Sequence, residues 1–180
     1  MTEPSPEILE RARRVRVVLL DVDGVLTDGR LYVFSDGTEG RAFHVRDGHG
    51  IAMARRAGLT FGILSGRTSK AVADRAAELG IEEVHQGVSD KGARFRQILE
   101  RLDVAPDAVC FVGDDIVDVP VLRRAGLAVA PADAEESALA ASHLATRARG
   151  GEGVVREVVD LLLRAQGSWE RVTERYFRED

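Results

Sequence analysis

The 180-residue chain contains one cysteine, Cys110. A single thiol excludes a disulfide framework and a cysteine-rich zinc site within one chain. Aromatic residues make up 5% of the chain, so its core has to be filled by Val, Leu, Ile and Ala. No apolar run approaches the ~18 residues that a membrane span requires. Basic residues are outnumbered, 25 against 30 acidic, and the formal net charge is -5. That deficit argues against nucleic-acid binding, which needs a basic footprint. It leaves an anionic substrate open, because a bound metal ion inverts the local field. Residues 1–14 are charged and hold no apolar core of a secretory signal, so a cytoplasmic location is expected. Cys110 lies inside an apolar run with Val109, Phe111 and Val112, which reads as packing rather than nucleophilic chemistry.

Hydrophobic residues make up 44% of the chain, enough for a core without staples. Short β-rich runs occur at 15–20, 60–64, 108–112 and 127–130, with weaker ones at 83–85 and 143–146. Helical patterns lie at 7–14, 50–57, 69–79, 92–102, 117–125 and 154–165. Strands alternating with helices predict one α/β domain over 1–180, a doubly wound, Rossmann-like parallel sheet with helices on both faces. One segment breaks the alternation. Runs at 31–34 and 41–45 flank a turn containing Asp36-Gly37, so a β-hairpin over 31–45 is inserted after the first strand. It should stand over the carboxyl end of the sheet, where open α/β folds bind ligands. Residues 168–180 are polar, with Trp169, Tyr176 and Phe177 interspersed, and read as a helix or a mobile tail.

Four short motifs carry chemistry. Asp21-Val22-Asp23-Gly24 ends the first predicted strand. Two carboxylates at this spacing can converge on one point, one attacking phosphorus and the other moving a proton. Alone, the motif reads more readily as an acidic turn that ends a strand. Gly113-Asp114-Asp115-Ile116-Val117-Asp118 follows the strand at 108–112. Hard divalent cations take carboxylate oxygens, so Asp114 is a candidate to close a magnesium site with Asp21 and the Asp23 carbonyl. The competing reading is an Asp-rich helix start. Ser65-Gly66-Arg67 follows the strand at 60–64 and suits an anion cradle or a helix cap. Lys91 begins a predicted helix, where a positive charge opposes the dipole and so hints at an acidic partner. Each motif falls just past the carboxyl end of a predicted strand, which is the ligand-binding edge of a doubly wound sheet.

The order D-x-D, Ser, Lys, G-D-D-x-x-D resembles the four motifs of the haloacid dehalogenase superfamily of phosphohydrolases, over residues 17 to about 130. The segments 46–50, 65–67, 74–80, 86–87 and 150–158 are similar to the capless branch of that superfamily, extending the resemblance to 15–167. The resemblance implies a fold without a cap domain and a phosphomonoester hydrolase working through an aspartyl-phosphate. It implies that Asp21 is the nucleophile and Asp23 the general acid and base. Asp21, Asp23 and Asp114 would hold Mg²⁺, supported by Asp115 and Asp118, while Ser65 and Lys91 would hold the phosphoryl group.

The substrate implied is a small sugar-acid phosphate, 3-deoxy-D-manno-octulosonate 8-phosphate, used in making lipopolysaccharide precursors. Asp23, His44, Val45, Arg46, Asp47, Gly48, Arg67, Arg75 and Lys91 would contact it. Ala52 departs from the pattern, since an arginine is expected there. The alternatives are a related nonulosonate 9-phosphate as substrate, or a receiver-like phospho-Asp signalling domain with no turnover. The branch further implies a homotetramer built on the hairpins, with the segment 150–153 near a neighbour's active site.

Overall fold

The computed structural model describes residues 4–178. Helix α1 (Pro6–Arg14) starts where the Ser5 hydroxyl accepts from the Ile8 N–H and Pro6 occupies the first turn. It leads into β1 (Val17–Leu20), every residue of which is buried. The short strands β2 (Tyr32–Val33) and β3 (Glu39–Gly40) pair antiparallel in a separate two-stranded ribbon. The chain then alternates: α2 (Val45–Arg56), β4 (Thr60–Leu64), α3 (Lys70–Glu78), β5 (Glu83–His85), α4 (Lys91–Leu102), β6 (Val109–Val112), α5 (Val119–Leu122), β7 (Leu127–Ala130), α6 (Glu136–Ala141) and β8 (Leu144–Ala145). Helices α7 (Val154–Ala165) and α8 (Trp169–Thr173) follow.

Among the described residues the main sheet has six strands in the order β5-β4-β1-β6-β7-β8, and every pairing is parallel. β1 sits between β4 and β6, so the chain leaves it first to one side and later to the other. The crevice above its carboxyl end is the switch point that a doubly wound sheet offers to a ligand. Side chains alternate across the sheet. Val18, Leu20, Ile63, Cys110 and Val112 face a core completed by α1, α2, α3 and α7, with Val155, Val158, Val159 and Leu162 from the last. Val17, Leu19, Val109 and Phe111 face the opposite core, completed by Phe95 and Ile98 of α4, Val121 and Leu122 of α5, and Ala138 of α6. Both faces being covered explains why these strands read as continuous apolar runs. Cys110 is fully buried, and burial pushes its thiol pKa up, so it is a packing residue.

Three expectations need correction. The second arm of the hairpin lies at Glu39–Gly40, not at 41–45, and Val45 opens α2. Other bonds claim 41–45: the Arg41 guanidinium is drawn inward, Phe43 packs on the core, and the His44 ring caps α2 by accepting from Arg46 N–H at 3.2 Å. As a result α2 begins at Val45, five residues before the predicted 50–57. The helix expected over 117–125 is a 3-10 turn, Ile116–Asp118, followed by the four-residue α5. Asp115 and Asp118 cap that turn reciprocally, which tightens its start. In the tail, Ser168 onward forms α8 and a 3-10 turn at Glu174–Tyr176, and Arg164 lies 4.0 Å over the Trp169 ring. Residues 1–3 of the expected loose end and 179–180 of the tail lie outside the described residues.

Candidate active site

All four motifs reach the carboxyl edge of the sheet. Asp21 directly follows β1, and its N–H donates to the Val112 carbonyl at 2.9 Å, extending the ladder into the motif. The chain then turns sharply at Gly24, whose φ is +94°. A Cβ at that position would collide with the Asp114 carboxylate, so glycine is what lets the two acidic loops meet. The segment 150–153 backs this turn from the same chain: Gly151 N–H donates to the Val25 carbonyl at 3.0 Å, and Gly150 has no room for a side chain against the Gly24 carbonyl.

Lys91 is the first residue of α4, where Asp90 caps the helix by accepting from Ala93 N–H at 2.8 Å. Its ammonium lies 2.9 Å from Asp21 Oδ1 and 2.6 Å from Asp118 Oδ1, and all three side chains are buried. Here is the acidic partner that its unfavourable place on the dipole demanded. Burial acts to lower the Lys91 pKa, but Asp21 and Asp118 outweigh it, so the pKa is raised and the charge kept. Asp118 is shared, since Oδ2 accepts from the N–H groups of Asp114 at 3.0 Å and Asp115 at 3.4 Å. Asp115 turns away to accept from Ile116 N–H at 2.7 Å. Ser65 follows β4, is 2% exposed, and accepts from Arg67 N–H at 3.3 Å.

Carboxylate oxygens of Asp21, Asp114 and Asp118 lie within 4.8 Å of one another. Burial, reinforced by the Asp118 charge, pushes the Asp21 pKa up to about 6 although Lys91 opposes it. Burial and then the charges of Asp21, Asp118 and Asp115 push Asp114 up to about 8. Buried Asp114 Oδ1 has no hydrogen-bond partner among the described residues. Crowded carboxylates that one lysine does not neutralise, with a buried free oxygen, are the donor set of a hard divalent cation. The residues present therefore fit Mg²⁺, with Asp118 nearer the cluster than its expected supporting role required.

The expected substrate residues divide into two groups. Arg67 is half exposed at the site's rim, 3.6 Å from Glu39. Arg75 pairs with Glu78 at 2.8 Å, lies 6.0 Å over the Phe43 ring, and packs against Gly48. With Phe43, Val45 and Asp74 it lines a groove of about 440 Å³. Arg46 is exposed nearby. His44 and Asp47 have structural partners instead. Asp47 is buried, and its Oδ1 accepts from Arg156 N–H at 2.7 Å, tying the start of α2 to the start of α7. Ala52 is a half-buried residue of α2. A second groove, about 460 Å³, lies among Arg16, Val17, Gly58 and Thr60 at the amino end of the strands, away from the acidic cluster.

One site residue escaped the sequence reading. Arg41 has a fully buried side chain whose Nε donates to Asp23 Oδ1 at 2.9 Å and whose Nη1 donates to Ser69 Oγ at 2.8 Å. Reading 41–45 as a strand arm hid it, and no local motif marks it.

This constellation has counterparts among known proteins. The haloacid dehalogenase-like hydrolase family model matches residues 45–126. The chain is 47% identical over 163 residues to the 3-deoxy-D-manno-octulosonate 8-phosphate phosphatase KdsC of Escherichia coli K12, covering 91% of this chain and 87% of that one. It belongs to the haloacid dehalogenase-like hydrolases of the KdsC type. The structure of this hydrolase superposes with a TM-score of 0.94 on the Moraxella catarrhalis 3-deoxy-D-manno-octulosonate 8-phosphate phosphatase, crystallised with magnesium, phosphate and KDO, at 34% identity over 96% and 99% of the two chains. A probable YrbI family phosphatase from Pseudomonas syringae gives a TM-score of 0.95 at 41% identity over 98% and 100%. The hydrolase is a phosphatase, and its acidic, lysine-anchored edge suits an anionic ester whose charge a cation helps to carry.

Proposed function

We propose that this phosphatase hydrolyses 3-deoxy-D-manno-octulosonate 8-phosphate through an aspartyl-phosphate on Asp21. The observation that carries the reading is the meeting of Asp21, Asp114, Asp118 and Lys91 at the switch point of the sheet, in a chain 47% identical to a KdsC phosphatase.

Asp21 attacks phosphorus with a carboxylate oxygen, forming an acyl-phosphate bond as the ester oxygen leaves. Asp23, two residues on, gives its proton to that oxygen and releases the sugar acid. In the second half Asp23 takes a proton from water, the water oxygen bonds to phosphorus, and the Asp21–phosphorus bond breaks to free inorganic phosphate. Lys91 holds the Asp21 carboxylate in place and offsets the repulsion between two anions. Ser65 lines the same edge as a hydroxyl donor to phosphoryl oxygen. Asp21, Asp114 and the Asp23 carbonyl would hold Mg²⁺, with Asp115 and Asp118 behind them, and the ion would supply positive charge that offsets the phosphoryl anion. Arg67 and Arg75 supply forked cations for the sugar carboxylate, which a lone ammonium would bind less selectively. Of residues 44–48, exposed Arg46 offers the sugar a side-chain donor, while His44, Val45, Asp47 and Gly48 shape the segment that carries it. Ala52 is the one feature favouring a nonulosonate 9-phosphate, because it removes an expected arginine.

Phosphate release measured across a panel of sugar-acid phosphates tests this reading. The highest kcat/KM is expected for the octulosonate 8-phosphate, with reversible loss in EDTA. Higher kcat/KM for a nonulosonate 9-phosphate would overturn the substrate assignment. Metal-independent turnover would overturn the mechanism. The same reading includes a cytoplasmic homotetramer. Support for the tetramer is the ribbon, where Val33 is 69% and Phe34 55% exposed, with no covering element among the described residues. Light scattering checks the tetramer, and a monomer at micromolar concentration counts against it.

A further inference from the structure

Arg41 departs from the ordinary behaviour of arginine. Its side chain is fully buried, yet it arises from the connection between the exposed ribbon and α2. A buried guanidinium costs several kcal/mol of lost hydration unless its donors are paired. Nε is paired with Asp23 Oδ1 at 2.9 Å, and Nη1 with Ser69 Oγ at 2.8 Å and Glu39 Oε2 at 3.4 Å. Nη2 is buried and has no partner among the described residues. The guanidinium is planar and rigid, and Nη2 shares an edge with Nε. The unpaired donor therefore points alongside the Asp23 carboxyl.

That arrangement does two things a packing arginine would not. It fixes one oxygen of Asp23 by a charge-assisted bond, which restricts the carboxyl to one orientation. It also keeps Nη2 buried beside that carboxyl as the second tine of a fork. Ser69 belongs to the loop that begins with Ser65, and Glu39 links onward to Arg67. Asp23, the ribbon and the rim of the site are thus joined through one cation.

Resting on the acid/base role of Asp23 proposed above, we propose that Arg41 is a positioning residue for proton transfer, holding the Asp23 carboxyl in the orientation that meets the ester oxygen. No new bond-breaking step is involved. The proton still passes between Asp23 and the leaving oxygen, and Arg41 keeps all its protons.

The test compares two phosphomonoesters in the wild type, R41M, R41K and D23N, each assayed with saturating Mg²⁺. One is the sugar-acid phosphate, whose alkoxide leaves poorly and needs a proton. The other is p-nitrophenyl phosphate, whose phenolate leaves without one. General acid catalysis is worth ~10²–10⁴-fold, so R41M should lose on the order of 10²-fold in the single-turnover rate of leaving-group release from the sugar phosphate, the half-reaction in which Asp23 acts as the acid. Its loss on the aryl ester should be only about threefold, because that reaction bypasses the proton donor. R41K, which keeps the charge but lacks the fork, should fall between. The ratio of the two activities within one variant does not depend on how much of it folds, so it survives a destabilising substitution.

D23N separates the two readings. If D23N shows the steep leaving-group dependence and R41M loses both activities equally, the Arg41 proposal fails while the Asp23 role stands. If D23N shows no such dependence, the acid/base reading fails and the Arg41 proposal fails with it. Weaker binding of the sugar phosphate with the rate of leaving-group release unchanged at saturation in R41M would make Arg41 a substrate anchor and also overturn the proposal.

Discussion

The carboxyl edge of the main sheet and the ribbon above it are both locally ill-suited to water, in opposite senses. At the edge, Asp21, Lys91 and Asp118 are charged and buried. In the ribbon, Tyr32, Val33 and Phe34 are apolar and exposed. The edge holds its charges by surrounding them with ordered N–H groups, opposite charge and a rigid sheet. The ribbon is two residues per strand, too short to bury anything by itself. The edge is suited to completion by a cation and an anionic substrate, and the proposed tetramer would complete the ribbon with apolar surface. Arg41 is where they meet, anchored in one and rooted beside the other.

The largest expected effect lies at the edge. Asp21→Asn keeps the shape and removes the nucleophile, so Mg²⁺-dependent phosphate release should fall on the order of 10⁴-fold or more. Substantial residual turnover would place the attacking group elsewhere. Lys91→Met removes the one buried cation facing Asp21 and Asp118, and kcat should fall on the order of 10²–10³-fold, as for loss of a single transition-state donor. If only KM changed, Lys91 would serve ground-state binding.

The packed sheet beneath the edge sets the stability scale. Phe111→Ala empties a fully buried position on β6 and should cost ~3–5 kcal/mol in urea unfolding. A loss below about 1 kcal/mol would show that this face of the sheet is loosely packed.

The pH dependence of the metal-free protein sharpens the comparison further. In the fold Asp21 titrates at about 6 and Asp114 at about 8, against 3.8 for a free aspartate. The native state therefore holds more protons than the unfolded chain over that range. The stability these groups contribute is fully present below the unfolded value of 3.8 and is lost as pH rises from there to about 6 for Asp21 and about 8 for Asp114. Thermal unfolding in EDTA should show Tm falling across this window, and excess Mg²⁺ should flatten the trend. A Tm that rises with pH in EDTA would mean the carboxylates are already compensated.

The ribbon gives the smallest effect on the chemistry. The pair V33E and F34E adds charge to its exposed face and should leave unfolding of the monomer within ~0.5 kcal/mol, while light scattering detects a smaller assembly. An unchanged mass would show that the ribbon covers no subunit contact.

Much of this was legible in the chain itself. Strands such as 60–64 and 127–130 end where the sequence places them, because parallel strands buried on both faces leave nearly unbroken apolar runs. Helix 154–165 was equally plain from its wide apolar face. Asp21, Ser65, Lys91 and Asp114 were legible because each follows such a run, and a parallel sheet carries all those ends to one edge.

What the local sequence could not carry were features set by distant partners. Residues 41–45 look like a strand arm, and only Asp23, Ser69 and the helix start at Val45 draw them into another path. The Asp47 carboxylate bonds to the start of α7, joining residues 109 positions apart. Sequence alone determined which residue types reach the carboxyl edge, because alternation and strand burial are local and periodic. Only the tertiary structure decided that Arg41 grips Asp23, that Asp118 shares Lys91 with Asp21, and that Gly150 backs the Gly24 turn. Those contacts depend on where loops cross in space, and nothing in the spacing of residues along the chain encodes a crossing.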